Sequence, residues 1–185
     1  MANLTAYTLA GGLSSALVGM IIGWLGDLLL SEGVSRYGIF PAIVVAGVAI
    51  ARETGWIAIP LPQVRRQTKD FWAKVFPDTV AAALWGFDLG MVFTTWLTFS
   101  GIWILFVVVT LIGEPVFGAV LFVWYWLGRA LSVWIAPLLM ENANATPELM
   151  DGISEHYMLF QRIHVLGLVW SVLVLFLWFA YGIPL

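Results

Sequence analysis

The sequence has 185 residues, of which 62% are hydrophobic and 10% are charged, and its mean hydropathy is +0.96. This composition excludes an ordinary water-soluble globule and predicts one all-α transmembrane domain, residues 1–185, built as a polytopic helix bundle in contact with the lipid bilayer. The net charge of −3 does not indicate a nucleic-acid partner, and the lack of cysteine excludes disulfides, thiolate metal ligands and thiol redox chemistry.

The first two predicted spans cover residues 5–30 and 37–59. The first positive charge is Arg36, so the N-terminus lacks the basic region of a secretory signal peptide and we expect the first span to be retained. A basic loop follows at residues 60–77. It carries half of the lysines and arginines of the chain: Arg65, Arg66, Lys69 and Lys74. The positive-inside bias predicts that this loop lies on the cytoplasmic side of the cell membrane.

An apolar run at residues 79–113 is too long for one straight span, because as a helix it would measure roughly 50 Å. Two interpretations stay open. The run is either one long helix, tilted or broken near residues 98–101, or two short helices that form a hairpin. Further spans are predicted at residues 117–140 and 163–181, which gives five or six transmembrane helices in total.

An acidic connector at residues 141–161 separates the last two predicted spans and carries no lysine or arginine. Thr146 followed by Pro147 predicts the start of a short helix that leads into the last span. The acidic residues and His156 lack the spacing of a metal site, so no metal is predicted.

Small residues recur at every fourth position in two spans, which predicts close helix packing. They are Gly11, Ser15, Gly19 and Gly23 in the first span, and Gly86, Gly90 and Thr94 in the third. Lipid supplies no hydrophobic drive between helices, so a stripe of small residues favours association by letting two backbones approach. The eleven tryptophans are attributed mainly to belts at the membrane interfaces.

Two charged residues, Asp88 and Arg129, are predicted near the middle of the third and fourth spans. An unpaired charge at the bilayer centre costs on the order of 3 kcal/mol, so we expect these two side chains to form an ion pair. The pair would serve as an interhelical clamp or as a proton, ion or substrate site. Tyr125 and Ser132 share a helix face with Arg129, and Asp27 ends the stripe of the first span. These three residues are further candidates for a transport path.

His164 lies just inside the last span, where it is a candidate axial ligand for a haem or a chlorin. A lone histidine near a membrane interface is more often a hydrogen-bonding anchor. No cofactor is therefore predicted, and a bound haem or chlorin is kept as an alternative.

Residues 86–139 contain two elements, "GFDLGMVFTTW" and "GAVLFVWYWLGRALSVW", in a characteristic order after a basic loop. In this order the region resembles the second half of the CcdA/DsbD-type membrane proteins, which carry reducing equivalents across the membrane for cytochrome c maturation. The redox cysteines of that family would fall near Leu17 and Thr94, so the resemblance implies a cysteine-less relative without a thiol relay.

No nucleophile, base and orienting group recur at a usable spacing, so we do not expect an enzyme. The leading hypothesis is an accessory or assembly subunit of a larger membrane complex, which contacts other membrane proteins or further copies of itself. The alternative is a small transporter or channel that uses Asp88 and Arg129. The third hypothesis is a haem- or pigment-binding membrane subunit that uses His164.

Overall fold

A computed structural model describes residues 1–30, 40–60, 71–92, 94, 100–139 and 157–181. These residues form α1 (Ala2–Leu29), α2 (Phe40–Glu53), α3 (Trp72–Val75), α4 (Asp78–Gly90), α5 (Gly101–Ile112), α6 (Pro115–Leu139) and α7 (Tyr157–Tyr181). Within these ranges there is no strand, so the chain is all-α as predicted. Residues 61–70 of the basic loop and 141–156 of the acidic connector, with the predicted helix start at Thr146, lie outside the described residues.

Three of the described helices, α1, α6 and α7, are long and apolar enough to cross a membrane. They support the membrane class, whereas a count of five or six spans is not established. α2 is shorter than the span predicted at residues 37–59, because the chain turns after Glu53. Gly55 has a φ of +81°. The Trp56 N–H donates to the Ala51 carbonyl and the Gly55 N–H to the Arg52 carbonyl, so α2 ends in a Schellman motif.

α1 is the central helix, and α4 and α6 pack along its small residues. α6 runs antiparallel to α1, since Gly118 touches Gly19 while Trp126 lies over Gly11. At the Gly19–Gly118 crossing, a Cβ atom on either residue would collide with the carbonyl oxygen of the other. The small-residue stripe therefore lets two backbones meet directly.

α4 and α5 lie one after the other along α1 and run in the same direction as α1. Gly86 of α4 contacts the backbone of Tyr7, near the start of α1, whereas the backbone of Thr110 in α5 contacts Gly26, near its end. The two helices have 13 and 12 residues, so each is roughly 20 Å long and too short for a hydrocarbon core of about 30 Å. The apolar run is thus interrupted between Gly90 and Gly101, and its halves do not form an antiparallel hairpin.

The reversal from α5 to α6 takes two residues. Gly113 ends α5 with a φ of +65°, a left-handed conformation that suits glycine. Glu114 then accepts hydrogen bonds from the N–H groups of Val116 and Phe117, and Pro115 is the first residue of α6. This short connection keeps both ends close to Gly23 and Asp27 of α1.

α2 and α7 pack against the side of α5. Their shared core contains Ala46 and Ala49 of α2, Ile104 of α5 and Leu168 of α7. α2 contacts α5 and α7, and among the described helices it does not pack extensively against α1, α4 or α6. The described residues therefore place α1 with α4 and α6 on one side of α5, and α2 with α7 on the other.

The contact at Gly118 gives a matched test within α6. We expect Gly118→Ala to lower the free energy of unfolding by about 1–3 kcal/mol, because the added methyl group overpacks the crossing with Gly19. Gly128→Ala is the control, since a Cβ atom at Gly128 meets nothing within 4 Å. Equilibrium unfolding in lipid–detergent bicelles measures both. Equal stability of the two variants would contradict the direct backbone contact.

Candidate functional site at the interrupted span

The C-terminal end of α4 lies beside the middle of α1, where its last carbonyl groups have no partner in the helix. Three side chains from three parts of the chain donate hydrogen bonds to these carbonyls. The bonds run from Ser15 Oγ to Gly90 O (2.7 Å), from Thr94 Oγ1 to Asp88 O (2.6 Å) and from Arg129 Nη1 to Leu89 O (3.2 Å). Side chains thereby satisfy backbone groups that would be costly in lipid, and the Leu89 carbonyl also accepts the Val92 N–H at 3.2 Å.

The Arg129 guanidinium serves as a charged cap of α4. It carries a positive charge to the helix end at which the peptide dipoles concentrate negative charge. The guanidinium donates to the carbonyl of Leu89, the residue next to Asp88, and the ion pair with the Asp88 carboxylate stays a prediction. Asp88 itself is 7% exposed, so a carboxyl group is buried one residue from this contact.

Backbone geometry also marks the end of α4. Val92, the second residue after the helix, has a φ of +63° and is fully buried. A β-branched residue in the left-handed region is strained, so the surrounding contacts must hold it there. Val18 and Ile102 are among these contacts, in the same apolar cluster.

The N-terminal end of α5 is met by Glu53, the last residue of α2. Its Oε1 atom accepts hydrogen bonds from the Ser100 N–H (3.1 Å) and the Ser100 hydroxyl (2.8 Å). The same atom accepts from Arg52 Nη1 at 2.6 Å, which makes an ion pair. Glu53 is 5% exposed, so a negative charge is buried at the positive end of the α5 dipole.

Sequence reasoning missed Glu53. The available signal was the adjacent pair Arg52 and Glu53 inside an otherwise apolar span predicted at residues 37–59. A charge within a predicted span indicates a partner elsewhere in the fold, and the partner of Glu53 is Ser100 at the start of another helix.

Gln161 and His164 of α7 lie beside the contact between Glu53 and Ser100. The Gln161 amide donates a hydrogen bond to the Glu53 carbonyl. The half-buried His164 ring lies on Gly101, where a Cβ atom would be 2.8 Å from His164 Cε1. His164 therefore sits against the first turn of α5, and a haem or chlorin on it remains an untested alternative.

Two indole groups of α6 converge on Thr8 of α1. Trp126 Nε1 donates to the Thr8 carbonyl at 2.9 Å, and Trp134 Nε1 donates to the Thr8 hydroxyl at 2.8 Å. Trp126 is fully buried over Gly11, with Tyr7 beside it at a ring-centroid distance of 5.1 Å. These two tryptophans belong to the packing core, which the sequence interpretation of interface belts did not anticipate.

The remaining predicted site residues divide into two groups. Gly23 contacts the backbone at Glu114 and Pro115, and Gly90 contacts Ser14 Oγ, so the small residues lie at helix contacts. The candidates for a transport path are dispersed: Asp27 is exposed in the last turn of α1, and Tyr125 packs at the edge of an apolar cluster. Ser132 is exposed and donates to the Arg129 carbonyl of its own helix at 2.7 Å.

No family model, no curated protein and no solved structure matches this chain. The resemblance to the CcdA/DsbD-type proteins therefore stays a prediction that rests on residues 86–139 alone. Across the described ranges, no group of three or more histidine, aspartate or glutamate side chains is arranged to hold a metal ion.

Exchanging the two charges distinguishes a helix cap from an ion-pair clamp. We expect the double variant Asp88→Arg, Arg129→Asp to be no more stable than Arg129→Asp alone, because an aspartate cannot donate to the Leu89 carbonyl. The loss of a hydrogen bond to a charged donor corresponds to about 1.5–3 kcal/mol. Unfolding in bicelles measures each variant.

Arg129→Lys is the control for the exchange, because an ammonium group keeps both the charge and the donors. It should retain most of the stability that Arg129→Asp loses. Recovery of wild-type stability by the exchanged pair would contradict the capping role and favour a direct Asp88–Arg129 interaction.

Proposed function

We propose that this protein is a small membrane transporter whose path passes the interruption between α4 and α5. The observation that supports the proposal is one interrupted span with a buried carboxyl group near each inner end, Asp88 at α4 and Glu53 at α5. Membrane transporters use discontinuous helices in this way, because the inner ends expose backbone groups and dipole charge within the membrane. The proposal includes the cell membrane and a cytoplasmic basic loop.

The two buried carboxyl groups near the interruption, Asp88 and Glu53, favour a cation as the solute. Acidic side chains within spans mark proton relays and ion pathways. Asp88 lies buried near the end of α4, beside the interruption. We therefore assign Asp88 to the path of a proton or a small monovalent cation. Arg129, bonded to the Leu89 carbonyl, holds the end of α4 in position.

Proton flux into liposomes tests this function. Purified protein is reconstituted with an internal pH-sensitive dye, and a potassium gradient with valinomycin sets the membrane potential. We expect the wild-type protein to acidify the lumen faster than protein-free liposomes. Asp88→Asn should slow the flux roughly tenfold or more, since about 1.4 kcal/mol of lost stabilisation already changes a rate tenfold.

Asp78→Asn is the matched control, because Asp78 is exposed in the first turn of the same helix. It should leave the flux unchanged. Sodium and potassium are measured separately, by uptake of their radioactive tracers (with rubidium for potassium) in liposomes without valinomycin. Flux equal to that of empty liposomes for all three cations would contradict cation transport.

A second candidate function, a subunit of a larger membrane complex, is favoured by α7. This helix has 25 residues, yet Leu168 is the one buried side chain among those described in it. Large apolar residues on the rest of α7, such as Leu166 and Trp170, are 68% exposed and available to another helix or to lipid.

Native mass spectrometry in a mild detergent tests the second candidate. If the chain is a subunit, a partner should be recovered in a fixed ratio, and α7 substitutions such as Leu166→Gln should release it. Recovery of the chain alone or as a homo-oligomer, with flux activity, would contradict a subunit role and leave transport.

A further inference from the structure

The helices on the two sides of α5 are held together in different ways. On the α1 side, backbones meet at glycines and indole groups donate across the interface, as at Gly19 with Gly118 and Trp126 with Thr8. On the α2 side, the contact with α5 consists of small and aliphatic side chains around Ala46 and Ala49. Gly47, the glycine of α2, meets nothing within 4 Å, so it makes no close backbone contact with α5 of the kind seen between α1 and α6.

Glu53 supplies directional contacts that join α5 to the α2–α7 pair. Its carboxylate accepts both the N–H and the hydroxyl of Ser100, and its carbonyl accepts the Gln161 amide. One residue thus joins the end of α2, the start of α5 and the first turns of α7. The 5% exposure of Glu53 keeps water from competing for these hydrogen bonds.

We propose that Glu53 is a latch that fixes the α2–α7 pair against the N-terminal end of α5. Opening the latch releases the pair to shift along α5 while α1, α4 and α6 stay in place. The inference rests on the two kinds of interface and on the Glu53 contacts, and it does not depend on transport activity.

The chemistry of the contact suits a latch. The Ser100 N–H stands at the start of a helix, where it has no acceptor in the helix and needs one from elsewhere. The carboxylate supplies that acceptor only in one position of α2, so the hydrogen bonds select one register. Arg52, whose side chain is 26% exposed, keeps the charge of Glu53 paired in that position.

Electron-spin distance measurements test the latch, and the natural sequence assists because it contains no cysteine. One spin-labelled pair, Val44→Cys with Leu17→Cys, reports the distance between α2 and α1. A second pair, Leu9→Cys with Trp124→Cys, reports the distance between α1 and α6. All four positions are exposed on the described helices, so the labels do not disturb a contact.

We expect Glu53→Ala to broaden the α2–α1 distances or to shift them by about 5 Å, the length of one helical turn, and to leave the α1–α6 distances unchanged. Glu114→Ala is the matched control. The Glu114 side chain also caps a helix start, but both of its hydrogen bonds go to its own helix α6. It should change neither pair.

An unchanged α2–α1 distance in Glu53→Ala overturns the proposal. If Glu53→Ala changes both pairs, the fold is lost and a second variant is needed. In that case Ser100→Ala, which removes the hydroxyl and keeps the N–H, decides: a broader α2–α1 distribution with a constant α1–α6 distance supports the latch, and an unchanged distribution rejects it.

Discussion

At Gly19 and Gly118 the backbones of α1 and α6 touch, because a side chain on either residue would collide with the other's carbonyl group. The same close approach recurs where Gly86 of α4 meets the backbone of Tyr7. With both neighbours held this close, the hydrogen-bonding groups of α1 come within reach: Ser15 bonds to α4 and Thr8 to α6. Loss of one glycine would therefore weaken polar contacts as well as packing.

The interruption between α4 and α5 is stabilised electrostatically. Each inner helix end meets a side chain whose charge opposes that of the helix dipole, with Arg129 at the end of α4 and Glu53 at the start of α5. The two charged groups come from different helices, so the break is supported from both sides. Such a break can persist in an apolar setting when its backbone groups have partners, as the Asp88, Leu89 and Gly90 carbonyls and the Ser100 N–H do.

The four-residue period of the glycines identified the face of α1 that packs, since that period follows from helix geometry alone. The period did not indicate which helices pack on that face or in which direction those helices run. A break near residues 98–101 was one of the two interpretations of the apolar run, but the end of α4 at Gly90 was not predicted. Apolar residues continue past Gly90, and Val92, rather than a glycine, takes the left-handed conformation. Glu53 was missed because its partner, Ser100, is 47 residues away in the sequence, and only the folded chain brings them together.

The shortness of α4 and α5 has a consequence for biogenesis. Neither half is long enough to remain in a bilayer by itself, because each would leave roughly 10 Å of the hydrocarbon core unspanned. Both lie along α1, which is synthesised earlier and is long enough to insert alone. α1 can thus be the surface against which α4 and α5 pack when they enter the membrane. The two-residue reversal at Gly113 and Glu114 would make α5 insert together with α6.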